Sequence, residues 1–257
     1  MTRRALACAA LVGLVLGCRT APPTWTPLSA TDPRPERLLA AQAARREARQ
    51  GLRATARVRF EGQGSGSFAK ETLLLERPAR LRVEVLGLLG QRVAVLASDG
   101  EEYALWRAET KRLERGPVHP AILWEVAGVP LRPAEAVALL LGAPALPAAP
   151  PAASRAEGAV EGGGVRLAGE DDDVLRVAEF DAAGRLRAWR VGRPGEVWLE
   201  ARWADYRETE RGAFAHRVEL DFPTRDQRAR VDFHQVELDP ELPAELFRLE
   251  LSQGASS

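Results

Sequence analysis

The sequence is poor in the residues on which most protein chemistry is built. Its only cysteines, Cys8 and Cys18, lie near the start of a 257-residue chain. The body of the chain therefore has no disulfide, no thiolate nucleophile and no cysteine metal site. His119, His216 and His234 lie far apart, which argues against a dedicated His-rich zinc site. Charge of one sign is also missing. The 36 Lys+Arg cancel 36 Asp+Glu, leaving neither the basic field of a nucleic-acid binder nor an acidic tail. Lysine is confined to Lys70 and Lys111, and the richness in arginine reflects genome composition more than mechanism. Beyond residue 17 no apolar run has the length of a transmembrane helix, and no internal repeat is visible. Catalytic motifs are absent as well. Ser65 and Ser67 sit in a Gly-rich hairpin that fits neither G-x-S-x-G nor a phosphate loop. Glu101 and Glu102 are adjacent, so a strand points them to opposite faces. Glu170, Asp171, Asp172 and Asp173 lack the spacing of a calcium loop and read as a solvated turn. The expectation is a protein that is not an enzyme and uses no metal and no cofactor. What is present, 46% hydrophobic and 28% charged, is the composition of an ordinary globular chain.

The first residues have their own logic. Arg3 and Arg4 precede an apolar run from Ala5 to Gly17 of signal-peptide size. It ends Val15-Leu16-Gly17-Cys18, which resembles the cleavage box of bacterial lipoproteins. An ordinary secretory signal or a buried N-terminal helix is the competing reading. The resemblance implies that residues 1–17 are removed and that Cys18 is lipidated. At ~0.8 kcal/mol per buried methylene, its acyl chains (palmitate or similar) would form a permanent anchor. Arg19, rather than Asp, follows the cysteine, which in such lipoproteins favours the outer membrane. Residues 18–35, with Pro22, Pro23, Pro27, Pro33 and Pro35, read as a semi-extended tether.

Residues 36–251 read as a single domain. Glu36 to Leu52 is expected to be a helix, after which the period falls to two. Ala54, Ala56, Val58 and Phe60 share one face, and Arg53, Thr55, Arg57 and Arg59 the other. Similar alternation recurs to Leu105 and again from Val174 to Leu238, giving about ten strands in an antiparallel meander. A phase change between Phe233 and Val236 predicts a bulge. Pro120 to Val126 and Pro133 to Leu141 are expected to be helices beginning near prolines, separated by Gly128-Val129-Pro130. Residues 143–164, rich in Pro, Ala and Gly, read as a flexible insertion. A sheet this large curls strongly, and a concave apolar face must be filled, covered or left as a cavity.

Leu81 to Leu96 reads as strand, apolar tip, strand, and leads to Ile122-Leu-Trp-Glu-Val-Ala-Gly-Val-Pro-Leu131 and Leu139-Leu-Leu-Gly-Ala-Pro144. This order resembles the outer-membrane lipoprotein receptor LolB and the wider LolA/LolB-like lipoproteins, most specifically over residues 38–144. The resemblance implies a mainly β (α+β) fold: a strongly curved antiparallel sheet forming a half-open barrel, with an N-terminal helix and two central lid helices. It implies a monomeric protein at the outer membrane, anchored by lipid with its domain facing the periplasm. Such a protein binds the acyl chains of lipoproteins, receives them from a soluble LolA-like carrier and assists their insertion into the membrane. The competing reading is a scaffold lipoprotein of the cell envelope that uses the same fold without lipid transfer. No nucleic-acid partner is implied.

Site residues follow. Leu86, Leu88 and Leu89 flank the tip between Gly87 and Gly90 and form the expected membrane-insertion loop, with Leu89 the protruding residue by position. Phe60, Phe68, Leu81, Val83, Val95, Leu105, Trp124, Leu139, Trp203 and Phe233 are expected to face inward and line an acyl cavity, although ordinary core packing explains each singly. Trp106, Trp189 and Trp198 are expected at rims, where an indole N–H meets water.

Overall fold

The computed structural model describes residues 23–62, 65–146 and 155–249. The signal segment, Cys18 and the centre of the 143–164 insertion lie outside the described residues.

The chain enters as a short strand, β1 (Trp25–Pro27), followed by helix α1 (Arg34–Ala48). Six strands follow as a meander: β2 (Gly51–Gly62), β3 (Ser65–Glu76), β4 (Arg80–Leu86), β5 (Arg92–Ser98), β6 (Glu102–Arg107) and β7 (Arg112–Pro117). Two helices interrupt it, α2 (Ile122–Ala127) and α3 (Pro133–Leu140). A second meander then runs through β8 (Arg155–Ala159), β9 (Val165–Asp171), β10 (Val174–Phe180), β11 (Leu186–Arg193), β12 (Glu196–Arg207), β13 (Phe214–Phe222) and β14 (Gln227–Leu238). β14 pairs antiparallel with β2, joining both meanders into one 14-stranded sheet with β1 and β7 at its edges. The sheet is antiparallel throughout, curved and open. The expected mainly β half-barrel is the fold of this chain.

Alternation decides which face is inside. Leu52, Ala54, Ala56 and Val58 of β2 stand opposite Leu75, Leu73, Glu71 and Ala69 of β3. The apolar members of this row other than Ala69 join Leu81, Leu105, Leu199, Trp203, Val218, Val231 and Phe233 in one buried cluster. Ile122 and Leu123 of α2 and Val137 and Leu139 of α3 belong to the same cluster, so these helices lie on the concave face. On the convex face Leu74 packs with Leu242 and Phe247, where the chain's last 3-10 turn (Ala244–Phe247) covers β4 and β5.

Among the described residues there are fourteen strands rather than about ten. The additional ones are β1, inside the expected tether, β8, inside the expected flexible insertion, and β7 and β9. β1, β8 and β7 lie at or next to a sheet edge, where backbone pairing suffices and little apolar area is buried. Short polar strands of that kind leave no alternating signature. The bulge in β14 lies at His234, between the Phe233–Ala56 and Gln235–Thr55 pairs. The acidic run turns at Asp172 and Asp173, both with positive φ, between β9 and β10.

Candidate functional site

Three parts of the molecule bear on function: a filled end of the concave face, a half-open end, and a corner beside the β4–β5 hairpin.

At the filled end, the C-terminus of α3 and the chain after it run beneath the sheet. A helix C-terminus leaves unpaired carbonyls that must find donors when buried. Here donors come from four directions. Trp203 donates Nε1–H to the Leu139 carbonyl (3.1 Å), Arg49 Nη1 to Leu141 (3.2 Å) and Gln42 Nε2 to Gly142 (3.1 Å). Arg77 Nη2 donates to Ala143 (3.0 Å) and Trp189 Nε1 to Ala145 (3.0 Å). Arg49 is buried and forms no ion pair among the described residues. Its Nη2 donates to Ala213 O (3.0 Å), and the guanidinium lies 5.3 Å from the centre of the Phe214 ring. Burial pulls that guanidinium down to about 10, reinforced by neighbouring Arg45. Cations at this end also complement the negative pole of the helix.

Toward the other end, cover thins. Phe60, Ala69, Val83, Val85 and Ala94 are only half-buried. Among them stands Glu71, between Ala56 and Val85 in the register. It has no hydrogen-bond or ion-pair partner among the described residues, and burial among apolar neighbours raises its carboxyl to about 7. Sequence reasoning missed Glu71. Its signal was a charged residue in phase with Leu73 and Leu75.

The hairpin tip is fully formed. Gly87 N–H donates to Gln91 O (2.8 Å) and Gly90 N–H to Gly87 O (3.0 Å), while Gln91 Oε1 accepts from Leu89 N–H (3.1 Å). Gly90 has φ 81°, a conformation that L side chains avoid. Leu88 is 99% and Leu89 93% exposed. Leu86 is half-buried and pairs with Lys70 on the convex side, so it does not belong to the exposed tip.

The residues expected to line a cavity divide. Leu81, Leu105, Leu139, Trp203 and Phe233 are buried in the concave core, with Phe60 and Val83 packed against them. Phe68 is not inside: it is 72% exposed on the convex face, because the phase of β3 is set by Leu73 and Leu75 pairing with Ala54 and Leu52. Val95 is buried but stands opposite Glu84 on the convex side, since β5 is apolar in both phases. Trp124 is 38% exposed at the edge of α2, with the Arg225 guanidinium 4.7 Å from its ring centre. Trp189, expected at a rim, is buried by its bond to Ala145. The described residues also form two convex clefts of about 420 and 300 Å³, both lined mainly by charged side chains. No helix among them is long and apolar enough to cross a membrane.

No protein-family model matches the sequence, and no curated protein matches it. Solved structures do match in fold. A domain named for outer-membrane lipoprotein sorting, from Vibrio parahaemolyticus, has a TM-score of 0.50 at 11% identity and covers 82% of this chain and 94% of its own. A LolA superfamily protein from Nitrosomonas europaea has a TM-score of 0.52 at 10% identity, covering 82% and 97%. A DUF1329 family protein from Desulfovibrio piger has a TM-score of 0.55 at 6% identity, covering 83% and 96%. At these identities the likeness is one of fold, and the chain shares the LolA-like fold with all three.

Proposed function

We propose that this protein is a non-enzymatic, LolB-like lipoprotein, anchored to the outer membrane through lipidated Cys18, that handles the acyl chains of other lipoproteins and assists their insertion. The observation that carries this reading is the pair of almost fully exposed leucines, Leu88 and Leu89, on a glycine-flanked hairpin beside the half-open end of the concave face. Burying each leucine in a bilayer is worth ~1.5–3 kcal/mol, and nothing in the described structure covers them. The fold supports the reading, and one of its structural neighbours is named for lipoprotein sorting.

The cycle needs no cofactor: cargo moves because its chains are better buried at the next site than at the last. Acyl chains would enter over the half-buried row from Phe60 to Ala94, with α2 swinging about Gly128 while α3 stays in place. A soluble LolA-like carrier would deliver the cargo. The filled end of the concave face favours the second reading, a scaffold lipoprotein that carries no lipid.

Leu89→Glu should leave the melting temperature unchanged and slow transfer of acylated lipoproteins into liposomes by roughly tenfold or more. Unchanged transfer would overturn the proposal. Mass spectrometry of protein gently extracted from membranes should detect an acylated Cys18 and copurified acyl lipid. An acylated chain that is free of bound lipid would favour the scaffold.

A further inference from the structure

The convex face matches most of its charges in pairs, with a departure near the hairpin tip. Arg217 and Arg230 both meet Asp232, at 2.9 and 2.8 Å, and Arg228 meets Asp221 at 3.4 Å. Arg190 bridges Glu179 and Glu200, and Arg82 and Arg92 share Glu84. On β2 Arg53 still meets Glu237 at 2.8 Å and on β3 Glu76 meets Arg80 at 2.9 Å, but nearer the hairpin tip this matching stops. Arg57, Arg59 and Lys70 are exposed, and none has a hydrogen-bond or ion-pair partner among the described residues. Asp232, opposite Arg57 on β14, is already engaged by Arg217 and Arg230.

The register sharpens the departure. Arg57 stands directly opposite Lys70, and Arg59 directly opposite Arg230. Like charges facing each other across an antiparallel ladder destabilise it. On its other side Arg59 faces Phe68, the exposed aromatic. Lys70 pairs with Leu86, so Phe68 lies level with the tip that bears Leu88 and Leu89. One corner of the sheet thus sets three exposed apolar side chains against three cations without an ion-pair partner, with Glu61 as the one exposed acid beside Arg59 on β2. Apolar groups flanked by Lys and Arg are the arrangement by which proteins lie on anionic bilayers.

We propose that this corner docks on a bilayer surface bearing anionic headgroups: Phe68 joins Leu88 and Leu89 at the acyl boundary while Arg57, Arg59 and Lys70 meet lipid phosphates. The proposal rests on the reading of the hairpin tip as a membrane contact and adds to it a second anchor and a headgroup preference.

Vesicle flotation of the full chain carrying Cys18→Ser tests it, with phosphatidylcholine vesicles compared with vesicles that also contain phosphatidylglycerol. The N-terminal segment is common to every form, so only differences between forms are read. The unaltered corner should bind the anionic vesicles more tightly, with the advantage shrinking as salt rises. Arg57→Gln, Arg59→Gln and Lys70→Gln together should weaken binding to anionic vesicles roughly a hundredfold and leave neutral vesicles unaffected. The same triple variant should melt at or above the parent temperature, because it removes opposed like charges. Phe68→Ser should weaken binding to both vesicle types. Equal binding of the parent to both vesicles, or an unmoved triple variant, overturns the headgroup preference; if Leu88→Ser with Leu89→Ser still weakens binding, the tip reading survives. If the leucine variant is also unmoved, both readings fall.

Discussion

The two helices on the concave face are held in opposite ways. α3 and the residues after it are tied by Trp203, Arg49, Gln42, Arg77 and Trp189, all donating to backbone carbonyls. α2 is tied at its exposed edge by side chains alone, through the Arg225–Trp124 contact and a 3.3 Å approach of His119 to Glu125. It ends at Gly128, whose left-handed backbone (φ 67°) turns the chain toward α3. Backbone carbonyls buried on a sheet must stay paired, whereas an exposed cation–π contact is worth only ~0.5–1 kcal/mol. On the proposed function, the cover expected to open is therefore α2, against the hold of Ile122 and Leu123 in the core, while α3 stays.

The largest test of that comparison is Arg49→Met, which strands the Leu141 and Ala213 carbonyls. It should lower stability by about 2–4 kcal/mol in denaturant titration. Next in size is Glu71→Gln. The folded pKa of about 7 lies above the ordinary 4.5, so the folded state holds the extra proton between those values. Stability from this group is therefore fully present below about pH 4.5 and is lost as pH rises through about 7. Glu71→Gln should flatten that slope in thermal melts, raising the melting temperature at pH 8 but leaving it unchanged at pH 4. The smallest expected effect is Trp124→Ala. It should lower stability by no more than about 1 kcal/mol, while hydrogen exchange of α2 quickens and that of α3 does not. Equal quickening of both helices would show that α2 is held no more loosely than α3.

Much of this architecture could be read from residue order. Arginines alternating with Ala54, Ala56, Val58 and Phe60 mark β2 without ambiguity, and the prolines before α2 and α3 place both helices to within a few residues. The two side chains placed on the wrong face, Phe68 and Val95, share one cause. Where both faces of a strand are covered, or a run is apolar in both phases, alternation loses its meaning. Leu73, Leu74 and Leu75 are consecutive, so they hide which phase Phe68 follows; Leu74 is buried under the chain's last turn. β5 is apolar throughout, and Val95 is buried on the wrong side for the same reason. The unmatched cations were illegible for a different reason. Which arginines are paired depends on register across strands far apart in sequence, and composition reports only that the totals cancel.

The seam between the meanders has a kinetic meaning. Gln227 pairs with Gly62 and Leu238 with Leu52, so the middle of the finished sheet is made by the chain's last strand meeting its first long one. Loop-closure entropy delays such distant pairings. Until β14 arrives, each meander presents an unpaired strand, β2 on one side and β13 on the other, open to association with other chains. The centre of this molecule is the part that must form late.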